Sequence, residues 1–94
     1  MFRITPRLGT SETGKGFQIT FANGWIASVQ WGYGMYCHTG DEEKPEQSPT
    51  AEVAAIAPNG DFVSMNPEDS DTVKGWQSPD EVLTFLNWVA AQKP

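Results

Sequence analysis

The chain has 94 residues, 12 acidic against 6 basic side chains, a formal charge of −6, one cysteine and an aromatic-rich apolar fraction with 4 Trp and 5 Phe. That length makes one domain, residues 1–94, whose folding buries roughly 60–65% of the unfolded surface, so the core is modest. The charge balance excludes a non-specific grip on a phosphate backbone, Cys37 alone excludes an intramolecular disulfide, and no apolar run is long enough for a membrane-spanning helix.

Residues 2–5 read as a short strand ended by Pro6, and residues 9–16 as a flexible polar loop. Phe17-Gln18-Ile19-Thr20-Phe21 then alternates apolar and polar residues with the period of a strand, and Trp25-Ile26-Ala27-Ser28-Val29-Gln30-Trp31 does so again. Asn23-Gly24 lies between them, and burial decides the register. A two-residue turn would put Phe17, Ile19 and Phe21 on the face opposite Trp25, Ala27, Val29 and Trp31. A three-residue loop, Ala22-Asn23-Gly24, pairs Phe21 with Trp25, Ile19 with Ala27 and Phe17 with Val29. Every large apolar residue except Ile26 then shares one face, so this register is predicted, with Gly24 left-handed.

Residues 51–57 and 61–65 form a second predicted hairpin, in which Pro58-Asn59-Gly60 repeats the turn chemistry. Its Val53-Ala54-Ala55-Ile56 run suits burial on both faces. Between the hairpins lies a long connection, residues 32–50. The spacing predicts a helix over 78–92: Ser78 as N-cap, Pro79 at the first helical position, Glu81 closing a Ser-x-x-Glu capping box. Val82, Phe85, Leu86 and Val89 make its apolar stripe, widened by Leu83, Trp88 and Ala90. The expected fold class is α+β: an antiparallel sheet of four or five strands built from two hairpins, with the C-terminal helix packed on one face.

No set of residues assembles a catalytic signature. Residues 9–16 nearly spell a phosphate-binding loop, but Gly16 stands where the Ser or Thr hydroxyl for magnesium belongs, and a strand pattern follows where a helix should begin. Cys37 and His38 are adjacent, so an extended backbone points them apart, and two ligands do not make a structural zinc site. The acidic runs Asp41-Glu42-Glu43 with Glu46, and Glu68-Asp69 with Asp71, lack the EF-hand pattern and read as solvated loops. Neither a metal nor a cofactor is expected, nor enzymatic activity.

The most informative segment is Trp31-Gly32-Tyr33-Gly34-Met35-Tyr36-Cys37-His38, whose rings either complete the small core or form a binding surface. Glycines there let another backbone come close, and Trp and Tyr are the residues that anchor interfaces. With the acids beside it, the candidate partner-binding set is Trp31, Tyr33, Met35, Tyr36, His38, Asp41, Glu42 and Glu43. An alternative set for a nucleotide-like ligand is Tyr33, Tyr36 and Trp76 as stacking rings, with Lys74 and Lys15 on its phosphate. Trp76 is otherwise read as a packing residue at the end of the sheet.

The layout resembles small uncharacterised proteins encoded by bacteriophages and prophages. The resemblance lies in residues 16–31, with Phe21-Ala22-Asn23-Gly24-Trp25; in Ala51-Glu52-Val53-Ala54-Ala55-Ile56 with Asn59-Gly60-Asp61; and in residues 73–90, with Lys74-Gly75-Trp76-Gln77-Ser78-Pro79. It covers about two thirds of the chain and transfers no site residue. What it implies is context: an accessory protein that blocks a host defence or redirects a host enzyme. The expectation is therefore a non-catalytic protein in the host cytoplasm, with no signal-peptide pattern, that binds a host protein. The alternatives are a sponge for a nucleotide-like signal, held between protomers of a homo-oligomer, and, last, an enzyme.

Overall fold

The computed structural model describes residues 1–4, 14–32 and 48–94. Its architecture follows from the two periodicities above. Strands β1 (Phe2–Ile4), β2 (Gly14–Thr20), β3 (Ile26–Gly32), β4 (Ala51–Ile56), β5 (Phe62–Val63) and β6 (Val73–Gln77) form one antiparallel sheet, and helix α1 (Pro79–Ala90) packs on one face of it. The strand order is β1-β2-β3-β4-β5, and β6 also pairs with β4. Both sit on the same side of β4: β5 against Ala55 and Ile56, β6 against the Ala51–Ala54 end.

The first hairpin has the register that burial favours, with Phe17 opposite Val29, Ile19 opposite Ala27 and Thr20 opposite Ile26. The Phe21 N–H donates to the Trp25 carbonyl (2.8 Å) and the Gly24 N–H to the Phe21 carbonyl (2.9 Å), closing a three-residue loop with Gly24 at φ 86°. The second hairpin reproduces it: Ala57 N–H to the Asp61 carbonyl, Gly60 N–H to the Ala57 carbonyl (both 2.8 Å), and Gly60 at φ 93°. Both Asn side chains accept from the backbone two residues on, Asn23 from Trp25 and Asn59 from Asp61 (both 3.0 Å). This is the local bond that suits Asn to such turns. Ile26 lies on the other face, beside Ile56.

Two elements differ from the sequence reading. Residues 14–16, read as loop, belong to β2, because β3 runs on through Trp31 and Gly32 and offers them a full set of ladder partners. Residues 73–77, read only as the approach to the helix, form the sixth strand, β6.

The helix-facing core contains Trp25, Ala27, Val29, Ala51, Val53, Ala55, Phe85 and Val89, bordered by half-buried Phe17, Phe21, Trp31, Val63, Met65 and Trp88. Val53, Ala54 and Ala55 are buried in succession. Rings supply much of the contact. Trp25 meets Trp88 edge-on (centroids 5.9 Å, 81°), and Phe85 lies 6.1 Å from Trp88. Such pairs contribute about 0.5–1.5 kcal/mol beyond area burial. The helix stripe is narrower than the spacing predicts. Phe85 and Val89 are buried and Val82, Leu86 and Trp88 half-buried, but Leu83 (59% exposed) and Ala90 face away from the sheet.

Ser78 starts the helix as its N-cap, and the capping box closes in both directions: Glu81 N–H to Ser78 Oγ (3.2 Å) and Ser78 N–H to Glu81 Oε1 (3.0 Å). The far end has neither a glycine stop nor a basic residue in its last turn. The first hairpin turn serves it instead. Asn23 Nδ2 donates to the carbonyls of Val89 (3.0 Å), Ala90 (3.3 Å) and Gln92 (2.8 Å), and Trp25 Nε1 donates to that of Lys93 (2.8 Å). No helix among the described residues is long and apolar enough to cross a membrane.

Candidate functional site

Most of the residues expected to contact a partner (Tyr33, Met35, Tyr36, His38, Asp41, Glu42 and Glu43) lie outside the described residues, as does Cys37. Trp31 is described. It is half-buried on the helix-facing side of β3 and meets Phe17 edge-on (6.4 Å, 71°), so much of its surface is spent on the core.

The alternative ligand set is divided by the sheet. Lys15 stands in β2 opposite Trp31, whereas Lys74 and Trp76 stand in β6, with β3 and β4 between. Lys74 is engaged: its Nζ lies 3.2 Å from Asp69 Oδ2. Trp76, which the sequence suggested as a packing residue at the sheet end, keeps more than half of its surface in solvent. It is 56% exposed, because the backbone of β6 turns it outward.

The cause is a β-bulge. Val53 pairs with Lys74 and Ala51 with Gln77, so Gly75 and Trp76 together stand against Glu52. An extra residue bends a strand and re-aims its side chains. Trp76 takes the left-handed conformation at φ 53°, the one non-glycine among the described residues with positive φ. For a bulky side chain that backbone costs about 1–3 kcal/mol and persists only where its surroundings impose it. Here those surroundings are the pairing on either side, the Gln77 Nε2 bond to the Gly75 carbonyl (3.0 Å), and the capped helix that starts at once. The sequence carried one signal of this: a glycine inside a strand pattern, immediately before an aromatic.

Beside the ring runs an open groove of about 390 Å³, lined by Ser70, Asp71, Thr72, Val73, Gly75 and Trp76. The surrounding charge is negative. Among the described residues from 66 to 81 there are five acids, Glu68, Asp69, Asp71, Asp80 and Glu81, against Lys74 alone. The Glu81 carboxyl is held below its ordinary value, first by its bond from the Ser78 backbone, then by the Ser78 side chain, with a smaller contribution from the charge of Lys74. The turn carrying Glu68 and Asp69 is fixed by the Asn66 side chain, which accepts from the Glu68 N–H (3.1 Å).

The face of the sheet away from the helix carries a second, smaller groove of about 230 Å³, where Gln18, Ser28, Gln30 and Glu52 give way to Ile56 and the exposed Phe62. Among the described residues no three His, Cys, Asp or Glu side chains gather as a metal site requires. No family model, no curated protein and no solved structure matches the chain.

Proposed function

We propose that the chain is a non-catalytic binding module, an accessory protein of the phage type, that holds a host protein at the corner formed by Trp76 and its groove. The observation that carries this reading is the exposed Trp76 ring on a left-handed backbone. Strained backbone that persists around an exposed aromatic points to a use of that ring beyond the fold, and Trp is the side chain most enriched among the residues that dominate interface energies. The groove beside it gives a partner somewhere to insert a side chain.

A phosphate-bearing ligand suits this corner less well. Lys74, its one cation among the described residues, is already paired with Asp69, and Asp71 lines the groove, so a phosphate would meet negative charge there.

The reading is tested by immobilising the wild-type chain and Trp76→Gly, passing host-cell lysate over each, and identifying retained proteins by mass spectrometry. A protein held by the wild type and lost from the variant is expected. Identical retention on both, or none on either, rejects the reading.

A further inference from the structure

We propose that the Trp76 corner takes a cationic side chain, an arginine or lysine presented by a basic segment of the partner. This deepens the binding reading above and rests on it.

Three features of the corner converge on a cation. The first is the ring, since the face of an indole attracts guanidinium and ammonium groups more strongly than any other side-chain ring does. Exposure of 56% leaves room for that contact. Second is the lining of the groove, where Ser70, Asp71 and Thr72, one of them a carboxylate, stand in the same groove as the ring. An arginine head has five donors, no acceptor and a planar face, so oxygen acceptors and a π-face within one groove match both of its binding modes. Third is Gly75, next to the ring and within the groove lining, where the lack of a side chain lets the partner's backbone approach.

The wider field acts in the same direction. Asp69 pairs with Lys74 at 3.2 Å and Glu81 feels the Lys74 charge, while Glu68 and Asp80 are their chain neighbours, so Lys74, the one opposing charge among the described residues from 66 to 81, is neutralised. A basic segment would be steered to this edge by long-range attraction, and its cation would then exchange part of its hydration for the ring and Asp71. An acidic or phosphorylated segment would be repelled at every stage.

The test uses the full chain and three synthetic peptides of equal length, rich in arginine, lysine or glutamate. Binding is followed by calorimetry and by the indole N–H resonance of Trp76, assigned with Trp76→Phe. The arginine peptide is expected to move that resonance, with the lysine peptide weaker and the glutamate peptide without effect. Trp76→Gly, which removes the ring at a position where glycine is at ease, should weaken arginine-peptide binding about tenfold. Asp71→Asn should weaken it several-fold. Basic peptides that leave the Trp76 resonance unmoved, or that bind Trp76→Gly as tightly as the wild type, overturn the proposal. If lysate capture still depends on Trp76 in that event, the contact stands and its occupant is uncharged. Should capture be independent of Trp76 as well, the binding reading falls with it.

Discussion

The side-chain amide of Asn23 donates to the main-chain carbonyl of Val89, 66 positions further along the chain, at 3.0 Å. The same nitrogen reaches the carbonyls of Ala90 and Gln92, while the side-chain oxygen of Asn23 accepts from the Trp25 N–H. One residue therefore sets a hairpin turn and bonds carbonyls in and just beyond the last turn of the helix, where intrahelical donors run out. The same turn is tied to α1 a second time, because Trp25, two residues on, donates to the Lys93 carbonyl and meets Trp88 edge-on.

Removing that amide should be costly for a single polar side chain. Asn23→Ala is expected to lose about 1–2 kcal/mol of stability, read as a lower urea midpoint at unchanged slope. Asn23→Asp keeps the acceptor for Trp25 but turns a negative charge toward carbonyls at the negative end of the helix. At neutral pH it should be at least as unstable as the alanine variant. If the aspartate variant matches the wild type, the long-range bonds contribute nothing.

The two hairpin turns share a conformation but not their surroundings, so their glycines should respond differently. A Cβ on Gly60 would meet nothing within 4 Å, and Gly60→Ala suffers only the positive φ of 93°, about 1 kcal/mol. On Gly24 it would also stand 3.3 Å from Pro58 Cγ, since the two turns lie side by side. Gly24→Ala should therefore be the more damaging of the pair. In Gly16→Ala, a Cβ would lie 2.5 Å from the Val29 carbonyl oxygen, where backbone must move, and the β2–β3 ladder should suffer most. Denaturant midpoints in the order Gly60→Ala, Gly24→Ala, Gly16→Ala, from highest to lowest, are the expected result.

At the start of the helix, Ser78→Ala is expected to cost about 1 kcal/mol at neutral pH, as loss of an N-cap does. Glu81 adds a pH-dependent part. Its folded pKa lies below the ordinary 4.5, chiefly through the Ser78 backbone bond, so in acid the unfolded chain takes up this proton more readily than the folded one. The contribution is present above 4.5 and is lost as pH falls through the folded value. Glu81→Gln retains hydrogen-bonding capacity at the cap without that titration. The gap in urea midpoint between wild type and Glu81→Gln should thus close on acidification. A gap constant from neutral pH to strong acid would place the effect elsewhere.

What was legible in the sequence was whatever local chemistry determines. The first hairpin could be read because a one-residue slip would have exposed either Phe17, Ile19 and Phe21 or Trp25, Ala27 and Val29. The helix start could be read because Ser78, Pro79 and Glu81 are neighbours. Strand β6 escaped because its bulge breaks the alternation: with Gly75 and Trp76 both opposite Glu52, the period of two slips within five residues. Residues 14–16 escaped because two glycines around a lysine resemble a loop unless the partner strand is known to continue to Gly32. The second role of Asn23 depends on acceptors 66 to 69 positions away, beyond any local pattern. Of the residues expected to bind, Trp76 was named but read first as packing, since sequence alone does not tell which way a bulged strand turns its ring.

Trp76 links stability to function most directly. Its left-handed backbone is a cost that Trp pays and glycine does not, so the proposed binding role and folding stability should pull in opposite directions at this position. Trp76→Gly is expected to be no less stable than the wild type, and up to about 1 kcal/mol more stable, because release of φ strain outweighs the added freedom of the unfolded chain. Trp76→Val, β-branched and poorly suited to this backbone, should be less stable than either. Thermal and urea unfolding of the three proteins would establish the order. A glycine variant clearly weaker than the wild type would mean that the ring contributes more by packing than its exposure suggests, and the strain would then have a purely structural explanation.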